Sequence, residues 1–367
     1  LLADRRQHVL HGAVPYVDFF QHHHPLLWYV LAPALAAAGE SASTLVLFRL
    51  VFFVLTLAIA WATYRFAREC SASREAAWLS VCLLLSMTTF VYVSIEIRPD
   101  VPQTLFGVLS ALYFTRMLRS ERPRDAVLSG VFAAAAFLFQ QKAVLLIALY
   151  PAPFAVYALR RRLPWRLGLY LAGAFVAACL PFAGYLAATG SVEEYIVTNW
   201  LLNANLGAGR ARVSFLSPVV LRDTARNAVF WGLTLAMATA ALRRRLDCSY
   251  ALPAWFGLGI VALVVALNRV VDRYLVAAVP FLAVALGLWL AGEIERRRLR
   301  GPRLAAVLLV VCLVPGVAMA RSVFRSNRGQ LARIQFVLDR SAPDDRMYDE
   351  SRDFNLFRPD MHYFCFM

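Results

Sequence analysis

The stretch Gly12 to Trp28, GAVPYVDFFQHHHPLLW, sets one carboxylate, Asp18, and three consecutive imidazoles, His22 to His24, directly ahead of a long series of apolar runs. A carboxylate so placed could take the proton of an acceptor hydroxyl, bind a divalent cation or orient a sugar. Capping a turn, or pairing with Arg5 or Arg6, is the alternative. Three neighbouring histidines cannot all point one way, so a three-ligand metal site is not expected. Two of them, His23 and His24, could contact substrate, phosphate or a lipid headgroup, or serve the structure of an interfacial segment. Pro15 and Pro25 bracket the stretch and predict irregular backbone around Asp18, which is tolerated at membrane depth where it is buried in protein or lines a wet cavity.

Three further polar islands could do chemistry. Glu96-Ile97-Arg98-Pro99-Asp100 places three charges and a proline between two apolar runs. Such charges are costly there unless solvated or paired. Glu96 and Asp100 could add a second carboxylate to a site, and Arg98 could bind phosphate or hold Asp100; a solvated turn with an internal ion pair is the alternative. Gln140-Gln141-Lys142 presents the chain's one lysine, either as a point charge for phosphate or snorkelling to headgroups. Asn268 to Tyr274, NRVVDRY, carries Arg269 and Arg273 four apart, on one face of a helix, which suits an anionic headgroup. The long segment from Thr189 to Arg226 adds Asn199, Trp200, Asn203, Asn205, Arg210 and Arg212, a mix suited to carbohydrate or headgroup contact. No GxxxxGK[ST] loop, GxSxG elbow or HExxH helix is present.

What must position these residues is a membrane domain. Of 367 residues 60% are hydrophobic and 17% charged, and the mean hydropathy is +0.59, too apolar for an ordinary soluble protein. An all-α polytopic membrane protein is the expected class. Leu26 to Ala38 is short for a span and is predicted to be an interfacial helix. About ten spans follow, near 44–64, 76–95, 101–118, 126–139, 143–159, 167–188, 227–242, 250–267, 273–292 and 303–320. The expected division is a first extracytoplasmic loop with its interfacial helix over 1–43, a multi-span domain over 44–320 and an extracytoplasmic tail over 321–367.

The formal charge of +15 does not point to nucleic acid, because the arginines sit in short bursts between apolar runs. Alternate loops hold Arg68 and Arg74; Arg119, Arg122 and Arg124; Arg160 to Arg162 with Arg166; Arg243 to Arg245; and Arg296 to Arg298 with Arg300 and Arg303. The positive-inside rule makes these cytoplasmic. Asp18, Asp100, Lys142 and Arg273 then share the opposite face. The six cysteines are scattered without a CxxC and imply neither disulfide framework nor zinc site. The chain begins at Leu1 without methionine, which leads to the expectation of a fragment lacking at least one amino-terminal helix.

Gly12, Pro15-Tyr16, Asp18-Phe19-Phe20 and His23-His24-Pro25-Leu26-Leu27 resemble the first extracytoplasmic loop of the GT-C class of integral membrane glycosyltransferases, which includes protein O-mannosyltransferase and aminoarabinose-transferase relatives. Arg98-Pro99-Asp100, Gln141-Lys142 and Arg273-Tyr274 with Pro280 extend the likeness in layout. The resemblance implies a sugar donor on a polyprenyl phosphate and a glycan, lipid or protein acceptor, with transfer and inversion on the extracytoplasmic face of the inner (plasma) membrane. It implies Asp18 and Asp100 as catalytic carboxylates. His23, His24, Glu96, Arg98, Lys142, Arg269, Arg273 and Tyr274 would then bind substrate. The class also carries an acidic pair upstream of the glycine matching Gly12; Asp4 does not stand in such a pair, so the resemblance puts that pair ahead of Leu1. No cofactor is expected, and a divalent cation is compatible with the chemistry but not indicated. A transporter or flippase of lipid-linked sugars is the alternative, disfavoured because the charges gather at one face and no repeat is visible. A non-catalytic assembly subunit would leave that gathering unexplained.

Overall fold

A computed structural model describes residues 12–18, 23–202, 218–243, 248–267, 272–298, 309–310, 327–342 and 345. Among these every regular element is a helix. In chain order they are α1 (Leu26–Ala38), α2 (Ala42–Cys70), α3 (Arg74–Ser86), α4 (Thr88–Ser94), α5 (Asp100–Ser120), α6 (Pro123–Phe139), α7 (Val144–Ile147), α8 (Pro151–Arg161) and α9 (Arg166–Ala188). There follow α10 (Val192–Ile196), α11 (Pro218–Arg226), α12 (Ala228–Arg243), α13 (Cys248–Ala266), α14 (Asp272–Leu275), α15 (Val279–Arg296) and α16 (Arg328–Leu338). The short helix predicted over Leu26 to Ala38 is present as α1, with the expected bounds.

Nine of the ten expected spans coincide with helices; the last, 303–320, lies outside the described residues apart from 309–310. The count of ten full crossings is not reached. Among the described residues four helical stretches are long and apolar enough to cross a bilayer, and a fifth if the bent pair α3–α4 is one span. The shortfall has physical causes. Helix α6 has 17 residues, about 25 Å of axis against roughly 30 Å of hydrocarbon. Helix α5 is long enough, but Gln103, Thr104, Ser110 and Thr115 are buried along it. Protein surrounds it, so it needs no uniformly apolar surface.

Burial sorts centre from periphery. In the stretch Val276–Arg296, which ends in α15, 72% of the most apolar window is enclosed by protein, whereas in α9 the figure is 6%, leaving α9 an exposed apolar surface of Leu169, Val176 and Leu180. Helices α3 and α15 approach closely because Gly287 has no side chain. A Cβ there would stand 2.2 Å from Ser80 Oγ and 2.7 Å from Ser80 N, the close backbone approach that small residues permit. Helices α5 and α6 are joined by polar pairs: Ser110 Oγ donates to the Ser129 carbonyl (2.8 Å) and Ser129 Oγ to the Ser110 carbonyl (3.0 Å).

Backbone groups freed at breaks are satisfied, as a low-dielectric interior demands. The chain bends by 75° between α3 and α4. Asn227 Oδ1 accepts from Thr88 N (2.7 Å) and Thr88 Oγ1 (2.8 Å), and its Nδ2 donates to Thr89 Oγ1 (2.9 Å). Between α7 and α8 the Leu149 carbonyl accepts from Trp255 Nε1 (2.9 Å).

The two ends of the bundle differ. At one end Arg119 donates to the Glu69 and Cys70 carbonyls, so the arginine-bearing segments after α2 and α5 meet. At the other end lie the start of α5, the turn after α6 and the segment containing Tyr274, which meet around Asp100. Two of the basic segments thus share one end, and two of the mixed segments, with the segment of Tyr274, share the other. Tail helix α16 also packs against the start of α2, where Arg49 donates to Gln330 Oε1 (3.1 Å).

Candidate active site

Asp100 is the centre of the cluster. It begins α5 directly after Pro99, whose fixed φ suits a helix start, and it is 3% exposed. Its Oδ2 accepts from Arg98 Nε (3.1 Å) and its Oδ1 from Lys142 Nζ (3.2 Å). The donors and acceptors around Gln140 require its amide oxygen to face Lys142 (3.1 Å); its nitrogen then donates to Asp100 Oδ1 (3.0 Å) and Gln103 Oε1 (2.9 Å). Arg98 also reaches exposed Glu96 (3.5 Å). Burial alone would raise the Asp100 pKa. The Lys142 ammonium and then the Arg98 guanidinium outweigh it and hold the carboxyl below the usual range.

Lys142 stands on the 3₁₀ turn Gln141–Ala143 after α6. It does not snorkel outward: its ammonium lies over the Tyr274 ring, 3.8 Å from the centroid, between Asp100 and Gln140. Three separate chain segments therefore converge on one ammonium. The space beside it, closed by Leu145, Leu146, Ile260 and Ala277, is about 10 Å³, room for roughly one water. In the 96–100 segment the internal pairs with Arg98 form, and Asp100 is also buried against Lys142 from the turn after α6.

The first loop is pinned to the same end of α6. His24 is 1% exposed. Its Nδ1 bonds to the Phe137 carbonyl, which can only accept, so that nitrogen carries the proton and Nε2 accepts from Tyr195 Oη (2.8 Å). Burial pushes the His24 pKa down to about 4, partly opposed by the Phe137 hydrogen bond, so the ring is neutral at pH 7. Phe137 stands three residues before Gln140, which makes α6 the common support of the first loop and the Asp100 cluster. Both ring nitrogens of His24 are engaged by protein, which makes it a tether. Half-buried His23 contributes its carbonyl, which accepts from Tyr16 Oη (2.8 Å).

Tyr16 is fully buried with φ +76°, a conformation that costs a non-glycine residue energy and persists where surroundings enforce it. Here the enforcement is the bond to His23 and edge-on packing against Tyr195 (5.5 Å between centroids). The strained turn projects Asp18 outward. Asp18 is exposed, and its Oδ2 accepts from Val14 N (2.6 Å), so the turn-capping use is realised while the carboxylate still faces solvent. Arg5 and Arg6 lie outside the described residues, as do His22, Asn203, Asn205, Arg210, Arg212 and Arg269. Arg273 falls in α14, but its side chain lies outside the description.

Tyr195 and Gln103 carried no signal in the sequence, whereas Trp200 and Gln140 stood in polar segments already singled out. Tyr195 and Trp200, from the segment after α9, close over the first loop, with Trp200 stacked on Phe137 (6.2 Å). Gln140 and Gln103 complete the Asp100 shell. Among the described residues no group of three His, Cys, Asp or Glu side chains is placed to hold a metal ion.

The sequence model of the family described as Dolichyl-phosphate-mannose-protein mannosyltransferase matches residues 22–185, the segment that includes His24, Asp100 and Lys142. No curated protein matches the sequence. Among solved structures, ArnT from Cupriavidus metallidurans bound to undecaprenyl phosphate is similar over 98% of this chain and 80% of that one, with a TM-score of 0.66 at 15% identity. Weaker similarity is found to the Archaeoglobus fulgidus oligosaccharyltransferase in complex with zinc and sulfate (TM-score 0.49, 16% identity, 89% of this chain, 48% of that one). Arabinosyltransferase EmbB from Mycobacterium smegmatis follows (TM-score 0.47, 19% identity, 74% and 26%). The helical order and the near-complete overlap with the first of these give the chain the GT-C fold, the architecture of the integral membrane glycosyltransferases.

Proposed function

We propose that the protein is a glycosyltransferase that moves a sugar from a polyprenyl-phosphate donor to a glycan, lipid or protein acceptor, with inversion, on the extracytoplasmic face. The observation that carries this reading is the preorganised pair of cations, Lys142 and Arg98, fixed by buried Asp100 at the end of the bundle where the first loop is pinned. Departure of a lipid phosphate from the anomeric carbon develops negative charge, and fixed cations in a dry site stabilise it without reorganising. In this reading the Lys142 ammonium, covered by the Tyr274 ring, lends its positive charge to the phosphate site from below rather than by direct contact. Arg98, with Arg269 and Arg273 contributed from the segment leading to Tyr274, adds positive charge. Asp100 acts as a positioning residue that aims Lys142. Exposed Asp18 faces the acceptor and takes or orients its proton. The similar ArnT structure, bound to undecaprenyl phosphate, supports the donor class.

Transfer from a radiolabelled polyprenyl-phosphate sugar by the full-length protein tests this. Asp18→Asn should lower turnover, because it removes a base. Lys142→Gln should do so by weakening phosphate stabilisation. Full transfer by both variants refutes the site. Wild-type protein that carries donor across liposomes without transferring sugar establishes the transporter reading instead.

A further inference from the structure

The opposite end of the bundle holds a second polar cluster that sugar transfer does not use. Asp100 and Arg116 are both on α5, and the sixteen residue steps between them span about 24 Å. At the far end, a cavity of about 480 Å³ is lined by Arg65, Arg68, Arg74 and Arg116, one carboxylate, Glu69, and the rings of Tyr64 and Trp78. Glu69 is already committed, to Arg116 Nε at 2.9 Å and Arg119 Nη1 at 4.0 Å. Among the described residues no ion pair takes Arg65, Arg68 or Arg74. Exposed Glu75, within electrostatic reach of the last two, is hydrogen-bonded to Ser73. Arg65 rests on the exposed Trp61 ring (5.4 Å), and Tyr64 packs on Trp78 (5.0 Å).

Trp78 is also the wall of a second space. Beyond it an apolar groove of about 770 Å³ runs between α3, α13 and α15, with Leu79, Cys82, Tyr250, Leu288, Trp289 and Ile294 along it. From Glu75 at its polar rim to Cys82 the groove follows α3 for about 10 Å. Topology accounts for arginines at this end. It does not account for a cavity of arginines that shares one tryptophan wall with a mostly apolar groove.

We propose that this cavity and groove together bind an anionic glycerophospholipid, its phosphate held by Arg65, Arg68 and Arg74 and an acyl chain laid in the groove beyond Trp78. Guanidinium groups match phosphate oxygens in planar, paired hydrogen bonds. Basic pockets between helices near a membrane surface suit such headgroups. The groove gives the chain an apolar wall that a free phosphate would not use, and this commits the site to a lipid. The inference stands apart from the transfer reaction.

Thermal unfolding of the purified full-length protein in neutral detergent tests it, with phosphatidylglycerol, phosphatidylcholine of the same chains, or inorganic phosphate added. Phosphatidylglycerol should stabilise saturably. The double variant Arg65→Gln, Arg68→Gln should weaken its apparent affinity at least tenfold, with lipid-free stability little changed because Arg65 is exposed, Arg68 is only half-buried and neither is held in an ion pair among the described residues. Trp289→Ala should weaken the lipid without altering any response to inorganic phosphate. Equal stabilisation by phosphatidylcholine, an unaltered response of the double variant, or full stabilisation by millimolar inorganic phosphate overturns the proposal.

Discussion

Acid should release the first loop through His24. The ring is buried and neutral, with its pKa pushed from the ordinary 6.5 to about 4 by burial. A histidine whose folded pKa is depressed stabilises the fold fully above its unfolded value. That contribution falls as the pH drops below about 6.5 and is gone once the pH passes below the folded value near 4. Two and a half pKa units at 1.36 kcal/mol each give about 3 kcal/mol across that window. His24→Asn keeps a donor for the Phe137 carbonyl and removes the titrating group. Its stability should be lower by about 1–2 kcal/mol at pH 7.5, because the bond to Tyr195 is lost. Between pH 6.5 and 4.5 its stability should fall less steeply than that of the wild type. The assay is unfolding of the detergent-solubilised protein at a series of pH values, with hydrogen exchange of residues 12–18 as a local readout. Parallel pH profiles for wild type and variant, or a His24 titration near 6.5 by NMR, would show that His24 is not held neutral by burial and does not make the loop acid-sensitive.

Two further outcomes follow from packing and charge. Asp100→Asn removes the partner of two cations, a change that costs about 3–5 kcal/mol for a fully buried pair. Glu96 still reaches Arg98 and Tyr274 still faces Lys142, so the low end is expected. A double-mutant cycle with Lys142→Gln should give a coupling of roughly 2 kcal/mol, and a coupling near zero would separate the two residues. Because the Asp100 carboxyl is held below its usual range, its stabilisation persists above about pH 4 and is lost on further acidification; the Asn variant should lack that acid-sensitive component. Gly287→Leu drives a side chain into Ser80 Oγ and backbone and should destabilise by more than 3 kcal/mol or abolish folding. Normal thermal stability of this variant would show that α3 and α15 are not in the close contact described.

What could be read from the sequence follows from what repeats along it. Apolar runs and arginine bursts are local signals, and they yield the helices, the short α1 and the grouping of loops into two ends. Span number was less legible, because an enclosed helix such as α5 exposes no apolar surface to lipid and so carries Gln103 and Ser110 in its interior. The Asp100–Lys142 pair joins residues forty-two apart, and the His24–Tyr195 bond joins residues 171 apart. Neither pairing has a periodic signature in one sequence. The alternatives for Asp18 and Lys142 were open for the same reason. Whether an ammonium snorkels or turns inward depends on what another helix presents to it, and here that is a carboxylate and an aromatic face.

Helix α6 is the element that makes the two halves of the candidate site one assembly. Its last turn gives the Phe137 carbonyl to His24, and the turn that follows gives Gln140 and Lys142 to Asp100. A displacement of the first loop large enough to break the His24 bond acts on the carbonyl three residues ahead of Gln140. Gln140 bridges Lys142, Asp100 and Gln103 at distances of 2.9 to 3.1 Å, so it cannot shift without altering the aim of the ammonium. Under the proposed function, a contact made on the loop near Asp18 and one made near Lys142 would be linked through a segment of about six residues. The linkage is short and built from buried polar groups that are costly to leave unpaired.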